Sequence, residues 1–235
     1  MKKATVVLFL FLAVQLLALN KSNFDITTQT NELAKANGTA SGFYGSKQLS
    51  NSFTSFSMLP GGYFTLGTTD GLVDNSFDDQ CDLTFGHPYA LTSYPVISID
   101  GVWGRPDQFI SDPGISAPAV SSRSLLLDAA IDNVDFSFQM SELDGGLAVE
   151  LTLTLVNNDA VEHNLGLGLV IDPALGQWGD GALTIDNAVV QNAKVVHDEN
   201  LTTLFLSERG DGAAGLQAQL ELDQPAEQLI VANWP

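Results

Sequence analysis

Five carboxylates, Asp70, Asp74, Asp78, Asp79 and Asp82, fall within thirteen residues that hold no Lys or Arg. Crowded carboxylates relieve their repulsion by sharing a hard cation, and calcium takes several oxygen ligands. Asp74, Ser76 and Asp78 copy the first three ligand offsets of a calcium loop, but Asp79 stands where Gly is needed and Phe85 where the closing Glu belongs. The segment is therefore not an EF-hand loop. It reads either as an irregular calcium site built from Asp70, Asp74, Asp78, Asp79 and Asp82 or as a solvated acidic loop. A second constellation is Asp172-Pro-Ala-Leu-Gly-Gln-Trp178-Gly-Asp180-Gly181. Trp stacks on sugar faces and Asp accepts from hydroxyls, so Asp172, Trp178 and Asp180 are candidate ligand contacts. The same residues also suit an ordered loop, with Asp capping turns and Trp sealing the end of the fold. His163, just before the strand that leads into this loop, joins the candidates; a lone His in such a place is more often a turn residue.

Other reactive side chains are scattered. His87 and His197 are isolated, and Cys81 is the only cysteine, so no internal disulfide forms. A single Cys of this kind is more often a small buried residue than a nucleophile. There is no H-E-x-x-H, no paired His at metal spacing, no G-x-S-x-G elbow and no phosphate loop. Two carboxylates suffice for glycoside hydrolysis, but carboxylates are too common here to discriminate. No catalytic residue is assigned, and a binding or structural role is favoured over an enzyme.

The elements that must position these residues read as strands. Val134, Phe136, Phe138 and Met140 alternate with polar residues, as do Val149, Leu151, Leu153 and Leu155, with Asp144-Gly-Gly146 between them. Leu165, Leu167, Leu169 and Ile171 alternate with Asn164, Gly166 and Gly168. The three runs predict an antiparallel meander from about Asn133 to Ile171. Gly inside a strand marks a bulge, or the close approach of a backbone or ligand; Gly166 and Gly168 lie on the face opposite the leucines. Further strands are predicted near Tyr63–Gly67, Asp82–Phe85, Pro95–Asp100, Leu125–Ile131, Leu183–Val196, Thr202–Ser207, Leu216–Leu222 and Gln228–Ala232. No segment beyond the leader has a helical stripe. The fold class is all-β, an antiparallel β-sandwich that extends to a super-sandwich in one variant, preceded by a signal-peptide helix.

The leader is residues 1–19: Lys2 and Lys3, then an apolar stretch shorter than the roughly 20 residues a spanning helix needs. It reads as a secretory signal, with an uncleaved anchor as the alternative. Residues 20–40 form a polar linker and 41–235 the β-sandwich domain. The closing Leu229–Pro235 run is apolar with a Trp and no polar tail, so the domain is expected either to be truncated or to end on an edge strand. Hydrophobic residues at 45% and charged residues at 16% describe a globular chain. The net charge is −19, and −21 without the leader; such a surface repels nucleic acid and anionic membranes. No membrane span is expected in the mature chain, and the place predicted for it is secreted or cell-surface.

Three stretches carry a family likeness: Leu83-Thr-Phe-Gly-His87-Pro88 with Thr92-Ser-Tyr-Pro-Val-Ile-Ser-Ile-Asp100-Gly101, then Val156-Asn-Asn-Asp159 with His163-Asn-Leu-Gly-Leu-Gly-Leu-Val-Ile-Asp172, then Leu175-Gly-Gln-Trp-Gly-Asp180-Gly181. Over about residues 60–235 the chain resembles large exported bacterial and archaeal β-sandwich surface proteins of no established activity. It departs from them at Gly168, where the group tends to have Arg. More loosely it resembles the super-sandwich modules of sugar epimerases and glycosidases. The resemblance implies a secreted or surface sandwich for structure, adhesion or glycan contact; the second likeness implies part of a carbohydrate-active enzyme. Expected partners are glycans or cell-surface components, and the only expected cofactor is calcium.

Overall fold

The computed structural model describes residues 3–11, 45–70, 79–90, 92–110, 116–143, 145–174, 182–185, 188–190, 194–196, 203–207, 217–222 and 229–231. Its regular elements are strands apart from one helical turn. In chain order the strands are β1 (Lys3–Phe11), β2 (Lys47–Ser50), β3 (Thr54–Met58), β4 (Phe64–Thr68), β5 (Tyr94–Ile99) and β6 (Val102–Gly104). One helical turn, α1 (Pro106–Phe109), is followed by β7 (Ala119–Val120), β8 (Ser124–Ile131), β9 (Val134–Glu142), β10 (Ala148–Asn157) and β11 (Leu165–Val170). Then come β12 (Ala182–Ile185), β13 (Ala188–Val190), β14 (Lys194–Val196), β15 (Thr203–Ser207), β16 (Gln217–Leu222) and β17 (Leu229–Val231).

Every strand pairing is antiparallel. A nine-stranded sheet runs β13-β12-β15-β16-β1-β10-β9-β8-β7, and smaller sheets are β11-β5-β6, β2-β3-β4 and β14-β17. The alternation of β9 and β10 plays out as the sequence predicts. Val149, Leu151, Leu153 and Leu155 are all buried, and so are Phe136, Phe138 and Met140 across the ladder. One hydrophobic core joins these residues to Leu125 and Leu127 of β8, Phe56 and Met58 of β3, Phe64 and Leu66 of β4, and Ile97 of β5. Phe64 meets Phe138 edge to face, with ring centroids 5.5 Å apart.

Four expectations change. β11 does not complete a meander with β9 and β10; it pairs with β5 in a separate sheet. The Asn157 side chain shapes the departure, donating from Nδ2 to the Val161 carbonyl and accepting at Oδ1 from the Asp159 N–H, while the free edge of β10 goes to β1. Asp82–Phe85 is not a strand but makes two single bridges, Gly67 to Asp82 and Thr84 to Pro173. Leu183–Val196 is broken into β12, β13 and β14. Lys3–Phe11 of the apolar leader, expected as a helix, is strand β1, paired with β10 along the length of that strand; Val6, Val7, Phe9 and Phe11 are residues with a β preference. The linker at 20–40 lies outside the described residues.

Candidate functional site

Of the predicted site residues, Asp70, Asp79, Asp82, His163 and Asp172 are described. Asp70 Oδ1 accepts from Gln80 Nε2 at 3.0 Å, just past the end of β4. Asp82 bridges Gly67, and the Asp79 carbonyl lies 3.6 Å from Cys81 Sγ. Asp74 and Asp78 lie outside the described residues. Among the described residues, no three His, Cys, Asp or Glu side chains are grouped to hold a metal ion. Trp178 and Asp180 also fall outside. Asp172 is described, and its backbone is built into the fold: its N–H donates to Ser93 Oγ at 2.9 Å and its carbonyl accepts from the Phe85 N–H at 2.8 Å. That ties the end of β11 to the segment before β5.

His163 is a clamp. Its Nδ1 lies 2.7 Å from Asp100 Oδ2, and its Nε2 lies 3.6 Å from Asp159 Oδ2. Asp100, with φ 53°, and Gly101, with φ 83°, form the two-residue turn between β5 and β6, a place that favours Asp-Gly. Asp100 Oδ1 accepts from the Asn164 N–H at 2.9 Å. Asp159 Oδ2 accepts from Asn133 Nδ2 at 3.0 Å, in the turn between β8 and β9. Three turns are thus drawn to one end of the molecule through one imidazole. The hydrogen bond that His163 donates to Asp100 is the main reason the His163 pKa is raised. His163 in turn lowers that of Asp100, and Asn133 is the first cause of the lowering at Asp159. With both ring nitrogens turned to carboxylates, the His163 ring positions loops rather than offering a ligand an open nitrogen.

A buried polar relay sits on β3 and β4. Both strands are buried throughout. One face of the pair carries Phe56, Met58, Phe64 and Leu66; the other carries Ser57, Thr65 and Gly67, and His87 lies against it. Ser57 Oγ donates to the Pro88 carbonyl at 2.6 Å. Its only proton is then spent, so the 2.6 Å contact with Thr65 Oγ1 must be donated by Thr65. Thr65 Oγ1 therefore accepts from His87 Nδ1 at 2.9 Å, which makes His87 the Nδ1–H tautomer. The proton order runs from His87 through Thr65 and Ser57 to a carbonyl. A nucleophilic Ser needs the reverse order, with the hydroxyl proton facing the imidazole. Burial holds the His87 pKa down at about 4, so the ring is neutral at pH 7. Gly67 is required here, because a Cβ would collide with the His87 ring.

The open surface is elsewhere. In the β11-β5-β6 sheet the register sets Gly166 opposite Ser98, Gly168 opposite Val96, and Trp103 opposite Ser98 on the other side. The Trp103 indole reaches across β5. Its Cη2 and Cζ2 lie 3.0 and 3.3 Å from where a Gly166 Cβ would be, and its Cζ3 lies 3.8 Å from that of Gly168. The two glycines are the bed on which the indole rests, and Trp103 is nonetheless 60% exposed. Farther along the same face Tyr94 meets Tyr63 edge on at 5.5 Å. The Arg105 guanidinium lies 5.4 and 5.8 Å from those two ring centroids, and Asp107 holds its Nε at 3.0 Å. Four residues of strand separate Ser98 from Tyr94, so the row spans about 13 Å. Trp103 was not among the residues singled out in the sequence; the signal that pointed to it was the Gly166–Gly168 pair, whose close neighbour is this indole.

Compared with known proteins, the chain matches no family model, no curated protein and no solved structure.

Proposed function

We propose that this chain is an exported, non-catalytic β-sandwich module that contacts neutral glycans at the cell exterior through the outer face of β11-β5-β6. The observation that carries the reading is the Trp103 indole, laid on Gly166 and Gly168 and 60% exposed. A sugar ring presents a C–H face that packs on an aromatic face. Tyr63, Tyr94 and Arg105 extend the row beyond one indole. A net charge of −19 disfavours acidic sugars at long range, which leaves neutral ones. The core shared by β2-β3-β4 and the nine-stranded sheet supports the sandwich arrangement. The basic start and apolar run of Met1–Leu19 support export, and the resemblance to surface proteins agrees with it. Among the described residues no helix is long and apolar enough to cross a membrane.

This reading moves the contact surface from the Asp172–Asp180 loop to Trp103; Trp178 and Asp180, outside the described residues, stay as candidates, and His163 is a loop clamp. Calcium at the Asp70–Asp82 segment belongs to the same proposal as a structural ion. A glycan array run with and without chelator tests both parts. The expected result is retention of neutral glycans and little retention of sialylated or sulfated ones. An array with no signal in either condition rejects glycan contact; equal signals with and without chelator remove calcium from it.

A further inference from the structure

Arg105 stands where β6 gives way to α1, and its backbone is still extended, at φ −74° and ψ 153°. Positions two apart on a strand share a face, so Arg105 follows Trp103 on the open side of β11-β5-β6, about 7 Å farther along the strand. The first turn of α1 fixes it from behind. Its N–H donates to Gln108 Oε1 at 2.8 Å, and its carbonyl accepts from the Gln108 N–H at 3.0 Å. Gly104 lets α1 fold back this closely, because a Cβ there would lie 2.9 Å from Phe109 Cε2 and 3.0 Å from Gln108 Oε1. The guanidinium is aimed as well as anchored. It lies 5.4 and 5.8 Å from the Tyr63 and Tyr94 ring centroids. Asp107 Oδ1 accepts from Nε at 3.0 Å and Asp107 Oδ2 from Nη2 at 3.2 Å. A guanidinium carries five N–H donors in one plane. Asp107 takes two, and the other three, on Nη1 and Nη2, have no partner among the described residues. Asp107 also neutralises the charge, so the fork gains little from an anion, and a chain of net charge −19 opposes one. Donors of this kind suit the lone pairs of hydroxyl groups.

We propose that Arg105 is the specificity-determining residue of this face: one sugar stacks on Trp103, the Nη1 and Nη2 donors of Arg105 bond hydroxyl oxygens of a neighbouring unit, and the ligand is therefore a segment of a neutral oligosaccharide chain rather than a single terminal sugar. The inference rests on the glycan reading above. A sugar ring stacked on the indole covers about the area of that ring system, so the donors, set farther along the strand, meet the next unit. Stacking tolerates any sugar with an apolar face. A fixed fork accepts only hydroxyls at its own spacing, which is why the discrimination falls to Arg105.

A fragment series tests this. The strongest neutral oligosaccharide from the glycan array and its shorter fragments, down to the monosaccharide, are titrated into the full chain. Binding is read from the Trp103 indole N–H resonance, which follows weak ligands as well as strong ones. The expected result is weak binding of the monosaccharide and binding about tenfold or more tighter for the longer fragments, the gain from hydrogen bonds to a charged donor. Arg105→Ala should remove that gain and leave the monosaccharide within about twofold of wild type. Arg105→Lys keeps the charge but not the fork and should not restore the gain. The proposal is overturned by long fragments that bind no tighter than the monosaccharide, by a gain that survives Arg105→Ala, or by a gain that Arg105→Lys restores. Loss of monosaccharide binding in Arg105→Ala also overturns it, since Arg105 would then be a prop for the Trp103 platform. A blank array, or titrations that leave the Trp103 resonance unmoved, rejects the glycan reading itself and this proposal with it.

Discussion

Acidification should expose the cost of keeping His87 neutral. An ordinary imidazole titrates at 6.5 and the buried one at about 4, with burial as the cause. The unfolded chain takes up this proton first, so the contribution is flat above the ordinary value and stability falls as pH drops from there toward about 4. At about 1.4 kcal/mol per pH unit, the fall amounts to about 3 kcal/mol. Urea titrations of wild type and His87→Gln at pH 7 and pH 4 isolate it, because the remaining carboxylates titrate in both proteins. The stability difference between the two proteins should change by about 3 kcal/mol between these pH values. Nuclear magnetic resonance gives the direct check: His87 Cε1–H should not titrate above about pH 5, with the proton on Nδ1. A His87 that titrates near the ordinary value, or parallel pH slopes for the two proteins, would refute both the burial argument and the proton order through Thr65 and Ser57.

Leu153→Ala, at a site 1% exposed, should cost roughly 2–5 kcal/mol in a denaturant titration; a loss below about 0.5 kcal/mol would place β10 wrongly. Gly166→Val should lift the Trp103 indole off the sheet and change its emission, whereas an unchanged spectrum would mean that the ring does not rest there. His163 should titrate above its ordinary 6.5, and Asp100 and Asp159 below their ordinary 3.8. The raised His163 stabilises fully below 6.5 and is lost as pH rises through its folded value; the depressed carboxylates stabilise fully above 3.8 and are lost as pH falls through theirs. The clamp should therefore be strongest between those two ordinary values. Hydrogen-exchange protection factors at Asn133, Asn158 and Asn164 should be highest in that window, and that maximum should disappear in His163→Ala.

Strands whose two faces differ in polarity were legible in the sequence. β9 and β10 alternate cleanly because one face is core and the other is not. β11 was legible as a strand but not in its pairing, because the turn at Asn157–Asn164 looks like a hairpin connection while its internal hydrogen bonds carry the chain to another sheet. β2 and β3 were missed for a different reason: the polar set on β3 and β4, Ser55, Ser57 and Thr65, is buried because the segment around His87 covers it, and short Ser/Thr-rich runs read as loops. The site was harder still. His163 and Asp100 are 63 residues apart, so their clamp is a product of sheet pairing alone. Gly166 and Gly168 did announce a close approach, but not that it would come from Trp103, two strands away.

The central claim is that the outer face of β11-β5-β6, rather than the Asp172–Asp180 loop, makes the glycan contact. Calorimetric titration of the strongest neutral oligosaccharide from the array against wild type, Trp103→Ala and Trp178→Ala tests it most directly. The account predicts that Trp103→Ala abolishes the binding heat while leaving the unfolding transition in place, and that Trp178→Ala binds within about twofold of wild type, a difference of about 0.4 kcal/mol. Undiminished binding by Trp103→Ala, or loss confined to Trp178→Ala, would contradict it.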